Sequence, residues 1–507
     1  MSLEYTSVDQ IPAIVSAIRR SFLATLDSNT VEFRVAALKA LYFALKDNEK
    51  VIFDALKKDF NRPEIETFVF DLNTTYSELL ELIGSLPKWL KHQKQSSMPL
   101  HALLSTSYIE YIPRGVVLVI SPFNYPWMLA ISPVVGAIAS GNKVVLKPSE
   151  QTPHTSALML RIFRETLPGL VEVVNGGSDQ VQALLAQKWD LILFTGSEKV
   201  GKIVACEAAK TLTPTVLELG GKSPAIITSN HGDLDVLLDR IMWGGFVNSG
   251  QTCVAVDYLL VADSVYEEIC ARIVKRANET YGLLDSKSEW SHLINTNSFD
   301  RVTSIISDSK GTVVFGDKSK WDKNTSFVPP TIIRDVGWED STMKQELFAP
   351  ILPIVRYSTL EEAVQNVTTF HDTPLALYIF SDDAEEQKFL QTNIRSGSVS
   401  INDTMVHVGI MSAPFGGIGS SGYGNYHGRF SVQTFSHQRH VFKQPVWVEF
   451  LLKIRYPDYS ERKSQILKMT VLQKETFARE GHWSLRAVLV SCVGILAVGI
   501  AFLVYIF

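Results

Sequence analysis

Cys253 closes the run Phe246-Val247-Asn248-Ser249-Gly250-Gln251-Thr252-Cys253, and Glu218 stands upstream in Leu217-Glu218-Leu219-Gly220-Gly221-Lys222-Ser223-Pro224. A thiol and a carboxylate in two Gly-containing segments have the types needed for a nucleophile and a base. A thiolate attacks an electrophilic carbon, and a carboxylate then activates water to release the product. Neither residue alone carries that meaning, because a single cysteine is commonly a small buried hydrophobe. A third group is Asn124, in Ser121-Pro122-Phe123-Asn124-Tyr125-Pro126-Trp127. Its amide can donate to an oxyanion, although an asparagine also suits a Pro-bounded turn.

Other segments have the composition of a phosphate or sugar site. Leu191-Ile192-Leu193-Phe194 runs into Thr195-Gly196-Ser197-Glu198-Lys199-Val200-Gly201. Glycines there let backbone approach a phosphate, and a helix start favours an anion. Taken alone, the same pattern is an ordinary strand-to-helix turn. Lys147-Pro148-Ser149-Glu150 also follows a strand, with proline suited to start a helix. A Gly-rich stretch, Pro414-Phe415-Gly416-Gly417-Ile418-Gly419-Ser420-Ser421-Gly422-Tyr423-Gly424, precedes Tyr426-His427-Gly428. His427 is given no role.

The elements that must position these groups are legible in outline. Residues 8–95 read as helices, with apolar spacing near 3.6 over 31–56. Tyr108-Ile109-Glu110-Tyr111-Ile112-Pro113 alternates like a strand. From 116 the pattern becomes βα: 116–120 is a continuous apolar run of the parallel-sheet kind, and 144–146, 171–174 and 191–194 follow as further strands, separated by helical stretches. A doubly wound, Rossmann-type α/β domain follows from that alternation. A second α/β block begins near Val216, with runs at 225–227, 258–261, 351–355 and 375–380. Residues 448–454 have the pattern of an amphipathic helix.

In this order along the chain, the motifs resemble the aldehyde dehydrogenase superfamily over roughly residues 15–443. Glu346-Leu347-Phe348-Ala349-Pro350 resembles the family's Glu-x-Phe-Gly-Pro, with Ala349 in place of glycine, a departure that bears on the turn and on cofactor mobility. The Pro414 to Gly424 stretch, with Asn402-Asp403 and His407, matches the class 3, fatty-aldehyde branch. The resemblance implies an NAD-dependent dehydrogenase with Cys253 as nucleophile, Glu218 as base and Asn124 as the oxyanion-hole side chain beside the Cys253 N–H. It implies a cofactor held by Lys147, Glu150, Thr195, Gly196, Ser197, Val200, Gly201, Leu219, Gly220, Glu346 and Phe348. Lys147 and Glu150 would take the adenosine ribose, and a carboxylate there favours NAD over NADP. Glu346 would bind the nicotinamide ribose, and Phe348 would pack near the nicotinamide. The substrate is expected to be a long-chain or lipid-derived aldehyde, with aromatic or medium-chain aldehydes as the alternative. Tyr125, Trp127, Trp243, Val247 and Met411 suit an apolar substrate tunnel and suit core packing equally. A homodimer is the family's expectation.

The domains then expected are a cofactor domain at 1–215 (helical part 8–95, bridging strand near 105–113) and a catalytic domain at 216–400. A return to the cofactor and oligomerisation region follows at 401–443, then a connector with a gating helix at 444–483 and a transmembrane tail anchor at 484–507. The run 487–507 carries no charge, and about 20 apolar residues cross a bilayer core of roughly 30 Å. Arg479, His482, Trp483 and Arg486 precede it as interfacial anchors. The N-terminus lacks a basic n-region and apolar h-region, so the body of the protein is expected in the cytosol. The endoplasmic reticulum is the favoured membrane, with the mitochondrial outer membrane and lipid droplets as alternatives.

The bulk properties exclude other classes. A net charge of −5 gives no basic footprint for nucleic acid. Four cysteines show no metal-ligand spacing and suit a reducing compartment. Two rivals remain: a CoA-acylating dehydrogenase, against which Glu218 argues, and a membrane-anchored scaffold without activity, against which Cys253, Glu218, Asn124 and Glu346 argue.

Overall fold

The computed structural model describes residues 3–95, 102 and 104–471. The expected anchor at 484–507 and the last part of the connector lie outside them. Among the described residues no helix is long and apolar enough to cross a membrane.

The chain falls into two compact units. Among the described residues, the first comprises those of 3–89 and 112–437, and the second those of 90–111 and 438–471. The first unit contains two mainly parallel sheets. One has six strands in the order Gly422–Tyr423, Thr215–Glu218, Leu191–Thr195, Val116–Ile120, Lys143–Lys147, Val171–Val173. Only the two-residue edge strand is antiparallel, with Gly422 opposite Glu218. The chain starts in the middle at Val116–Ile120, winds out to one side, then returns to build the other. A crevice therefore opens at the carboxyl ends of Val116–Ile120 and Leu191–Thr195, where the winding reverses. These strands are apolar on both faces because helices cover both.

The other sheet has seven strands in the order Thr312–Phe315, Thr331–Arg334, Ile351–Tyr357, Tyr258–Ala262, Pro224–Ile227, Ala376–Phe380, Ser398–Ile401. It is parallel apart from the Thr312–Phe315 edge. The N-terminal region is helical as its periodicity indicates: Ile11–Ala24, Val31–Asp47, Glu49–Phe60 and Asn73–Trp89, with a wider π-turn at Thr67–Leu72.

In the second unit the strands Gln93–Lys94, Thr106–Pro113 and Ser436–Lys443 form a three-stranded sheet. His92 stacks on Tyr108, and Arg439 pairs with Glu110 at 2.6 Å. The stretch expected as one amphipathic helix is instead three short turns, Val446–Val448, Glu449–Leu452 and Lys453–Arg455, followed by the helix Glu461–Val471.

Candidate active site

Glu218 is the last residue of its strand, so its side chain emerges where the sheet ends. It is almost wholly buried, and neither carboxylate oxygen has a hydrogen-bond partner. Burial alone holds its pKa well above the usual carboxylate range. Cys253 follows a turn in which Asn248, Ser249 and Gly250 all have positive φ (55°, 54° and 69°). Left-handed backbone costs a residue with a Cβ roughly 1–2 kcal/mol. At Gly250 glycine is required twice over, because a Cβ would also strike the Ala349 carbonyl. The Ala349 that departs from the family motif is thus packed directly against the turn bearing the thiol. The Cys253 side chain is partly open, yet burial around the sulfur, then the charges of Glu346 and Glu218, push the thiol up to about 12.

Asn124 lies just beyond the strand Val116–Ile120 and donates one amide hydrogen to the Gln251 carbonyl at 3.0 Å. The other amide hydrogen is left for a ligand. Tyr125 Oη and Thr252 Oγ1 are 2.6 Å apart, a second tie between the two loops.

The segment carrying Glu346 and Phe348 is held by buried charges. Lys222 pairs with Asp257 and donates to the carbonyls of Thr342 (2.8 Å) and Gln345 (3.2 Å). Asp257 accepts the Leu347 N–H at 2.8 Å, and Arg301 donates to the Leu347 carbonyl at 2.6 Å. Burial, then the charge of Asp257, raises the Glu346 pKa to about 8, against the Gly221 N–H, Lys222 and Arg301, which lower it. A side chain at Gly220 would collide with the Glu346 carboxylate, which explains the glycine there.

These groups meet in one cavity of about 1010 Å³. Its lining includes Cys253, Glu218, Asn124, Lys147, Glu150, Thr195, Gly196, Ser197, Val200, Leu219, Gly220, Glu346 and Phe348. Of the catalytic and cofactor residues expected from the sequence, Gly201 alone is not on the wall; it lets the helix Glu198–Ala209 pack against Leu219. Lys147 and Glu150 pair at 2.5 Å, and Phe348 meets Phe123 edge to face. The wall fits a dinucleotide. Besides the Glu218 carboxylate, three further buried oxygens along it, Ser121 Oγ, Thr195 Oγ1 and Glu346 Oε1, have no hydrogen-bond partner, and the helix Glu198–Ala209 begins at its edge.

The five residues offered for an apolar tunnel do not line this cavity. Tyr125, Trp127, Val247 and Met411 are core residues, and Trp243 packs on Phe70. Sequence reading missed Arg62, Glu66, Asp71, Asn248 and the Lys222–Asp257 pair. Asn248 and Lys222 lie inside the segments that carry Cys253 and Glu218, and Asp257 lies just past Cys253, whereas Arg62, Glu66 and Asp71 have no such signal.

The sequence pattern of the Aldehyde dehydrogenase family matches residues 1–441. The chain is 42% identical to Fatty aldehyde dehydrogenase HFD1 of Saccharomyces cerevisiae, over 96% of this chain and 94% of that protein. It is 38% identical to the dimeric NADP-preferring aldehyde dehydrogenase of Canis lupus familiaris, over 89% of this chain and 98% of that one. Among solved structures it resembles the substrate-bound state of Staphylococcus aureus AldH, with a TM-score of 0.86, 34% identity, and coverage of 91% of this chain and 99% of that one. The Mycobacterium tuberculosis aldehyde dehydrogenase complexed with NAD+ gives 0.77 at 28% identity, covering 87% and 92%.

Proposed function

The chain belongs to the aldehyde dehydrogenase family, and from that premise we propose how its cavity works: Cys253 attacks, Asn124 steadies the oxyanion, and Glu218 drives hydrolysis. The protein oxidises fatty aldehydes to carboxylic acids with NAD, NADP being the second cofactor of the family. The observation that carries these roles is that the thiol, the unpaired carboxylate and the free amide hydrogen line one cavity with the glycine turn Thr195 to Val200.

The Cys253 thiol releases its proton to water, and the thiolate Sγ bonds to the aldehyde carbon while the carbonyl π pair moves to oxygen. The remaining Asn124 amide hydrogen and the Cys253 N–H hold that oxyanion. A bound nicotinamide would supply the hydride acceptor; once hydride has left this carbon, the acyl group stays on Cys253 Sγ as a thioester. Glu218, whose burial raises its proton affinity, takes a proton from water as the water oxygen bonds to the acyl carbon. The C–S bond breaks, the acid departs and the thiolate is restored. Lys147 and Glu150 take the adenosine ribose, the turn Thr195 to Gly201 the pyrophosphate, Leu219, Gly220 and Phe348 the nicotinamide, and Glu346 its ribose. In this reading 1–215 mainly serves the cofactor and 216–400 carries the thiol, with Asn124 crossing to the reaction and Leu219, Gly220, Glu346 and Phe348 crossing to the cofactor.

Residues 484–507 anchor the protein by its tail, with the endoplasmic reticulum as the first membrane to test and the cavity on the cytosolic side. The active form is a homodimer. Support comes from the uncharged run 487–507 and from the dimeric relative. The test is NADH formation by detergent-solubilised protein over a chain-length series of aldehydes. Rising kcat/KM with chain length supports a fatty substrate, and a preference for short or aromatic aldehydes overturns it. Deleting 484–507 should leave activity on short aldehydes and lower it on long ones presented in vesicles.

A further inference from the structure

We propose that Arg62 is the positioning residue of the active site, a buried guanidinium that sets the loop of Asn124 and the turn of Cys253 in register with one another. The proposal rests on the roles given above to Asn124 and Cys253.

Arg62 follows the helix Glu49–Phe60, far in sequence from either loop, and it is fully buried. A buried arginine costs several kcal/mol unless its charge is met; here Asp71 meets it, while Nε and Nη2 have no hydrogen-bond partner and Nη1 makes the contacts. Its Nη1 donates to Asp71 Oδ2 at 2.7 Å and to the Asn124 carbonyl at 2.9 Å. Its guanidinium lies 4.4 Å over the Tyr125 ring. Asp71, equally buried, uses Oδ1 to accept the N–H groups of Trp127 (3.1 Å) and Met128 (2.9 Å). Those are first-turn donors of the helix Pro126–Ala139. The ion pair therefore holds Asn124 at its own carbonyl and at the helix that starts two residues later.

The same contacts reach the nucleophile turn. Asn248 Nδ2 donates to the Asn124 carbonyl (3.0 Å) and to the Gln251 carbonyl (3.1 Å). The Gln251 carbonyl is the one that accepts the Asn124 amide. Asn248 N–H donates to Glu66 Oε2, which also accepts Ser291 Oγ. Glu66 feels the Arg62 charge in turn. One cation thus stands among two carboxylates, one holding the Asn124 loop and the other the left-handed turn before Cys253. The carbonyl shared by Arg62 and Asn248 is the point at which the two loops are locked.

A group that positions rather than reacts should change rate more than binding, since about 1 Å of misplacement can cost about 100-fold. The test uses full-length detergent-solubilised protein and the variants Arg62→Lys and Asn248→Gly. The lysine keeps the charge beside Asp71 but loses the guanidinium plane over the Tyr125 ring and the reach of Nη1 to the Asn124 carbonyl. Glycine keeps the positive φ but loses the amide. The readouts are the NADH burst rate, NAD affinity by fluorescence titration and the melting temperature. Both variants should slow the burst about 10- to 100-fold while NAD affinity stays within about twofold. In an Asn124→Ala background, Arg62→Lys should slow the burst less than about threefold further, because its effect runs through Asn124. An unchanged burst in both single variants overturns the proposal. So does full multiplication of the Arg62 and Asn124 effects, or a loss of NAD affinity that matches the loss of rate. If Asn124→Ala alone leaves the burst intact, the oxyanion role fails and the proposal fails with it; a slow Asn124→Ala with a normal Arg62→Lys overturns only the positioning role.

Discussion

At the outer end of the cavity Lys147 and Glu150 pair at 2.5 Å, and Glu150 keeps 35% of its side chain in solvent. At the inner end both oxygens of Glu218 are buried with no partner, and Glu346 has one unpaired oxygen. The outer groups are polar, satisfied and exchangeable, as suits a ligand that arrives and leaves each turnover. The inner groups are left wanting protons or donors, and burial raises their proton affinities. Binding and reaction thus use the same residue types, and the difference between them lies in water and hydrogen-bond partners.

The largest way to break the inner end is to remove its nucleophile. Cys253→Ala should lower steady turnover by roughly 10,000-fold or more, the scale seen when a covalent nucleophile is lost. NAD affinity and melting temperature should stay close to those of the parent, since the outer end is untouched. Turnover above about 1% of the parent would require another nucleophile.

Glu218→Gln should separate the two halves of the reaction. Steady turnover should fall about 100- to 10,000-fold, the range of a positioned base, while the burst of NADH survives. In the parent, a carboxyl whose pKa is raised is protonated at low pH and becomes a base as pH rises. Deacylation should therefore accelerate with pH in the parent and lose that dependence in the variant. A burst that falls in step with turnover would mark Glu218 as structural.

The outer end should respond weakly. Glu150→Gln should narrow the preference for NAD over NADP only a few-fold, because a partly exposed charge contact is worth about 0.2–1 kcal/mol. Comparing kcat/KM for the two cofactors measures this. Equal values in the parent would remove the 2′-phosphate repulsion assigned to Glu150.

The two ends also differ in how far the sequence shows them. The outer wall is local: strand, glycine turn and helix follow one another between Leu191 and Ala209, and apolar runs at 116–120 and 191–194 match the observed strands within a residue. The edge strand Gly422–Tyr423 was hidden inside a Gly-rich stretch, because its pairing with Glu218 is set by the distant strand rather than by its own pattern. Arg62 was invisible for a similar reason. Nothing in the helical reading of 8–95 marks one arginine as buried, and only the folding of Asp71 and Asn124 around Arg62 makes it a buried cation. Trp127 and Tyr125 looked equally fit for a tunnel and for a core, since sequence gives their apolarity but not which side faces the cavity.

The smallest expected effect is a displacement of a pH profile, and it tests the inner end most directly. Alkylation of Cys253 in the cofactor-free protein follows its thiolate fraction, so the rate should rise into the alkaline range for a thiol pushed up to about 12. Of the charges that raise it, Glu346 ranks first. Glu346 itself is raised to about 8, so below that pH it is neutral and does not repel the thiolate. Above it, the carboxylate forms and holds the thiol protonated. Glu346→Gln should therefore leave the labelling rate at pH 6 unchanged and increase it most above about pH 8, shifting the profile to lower pH. An equal gain at every pH would instead point to easier access for the reagent, and no gain at all would mean that burial alone, without the neighbouring carboxylate, sets the thiol.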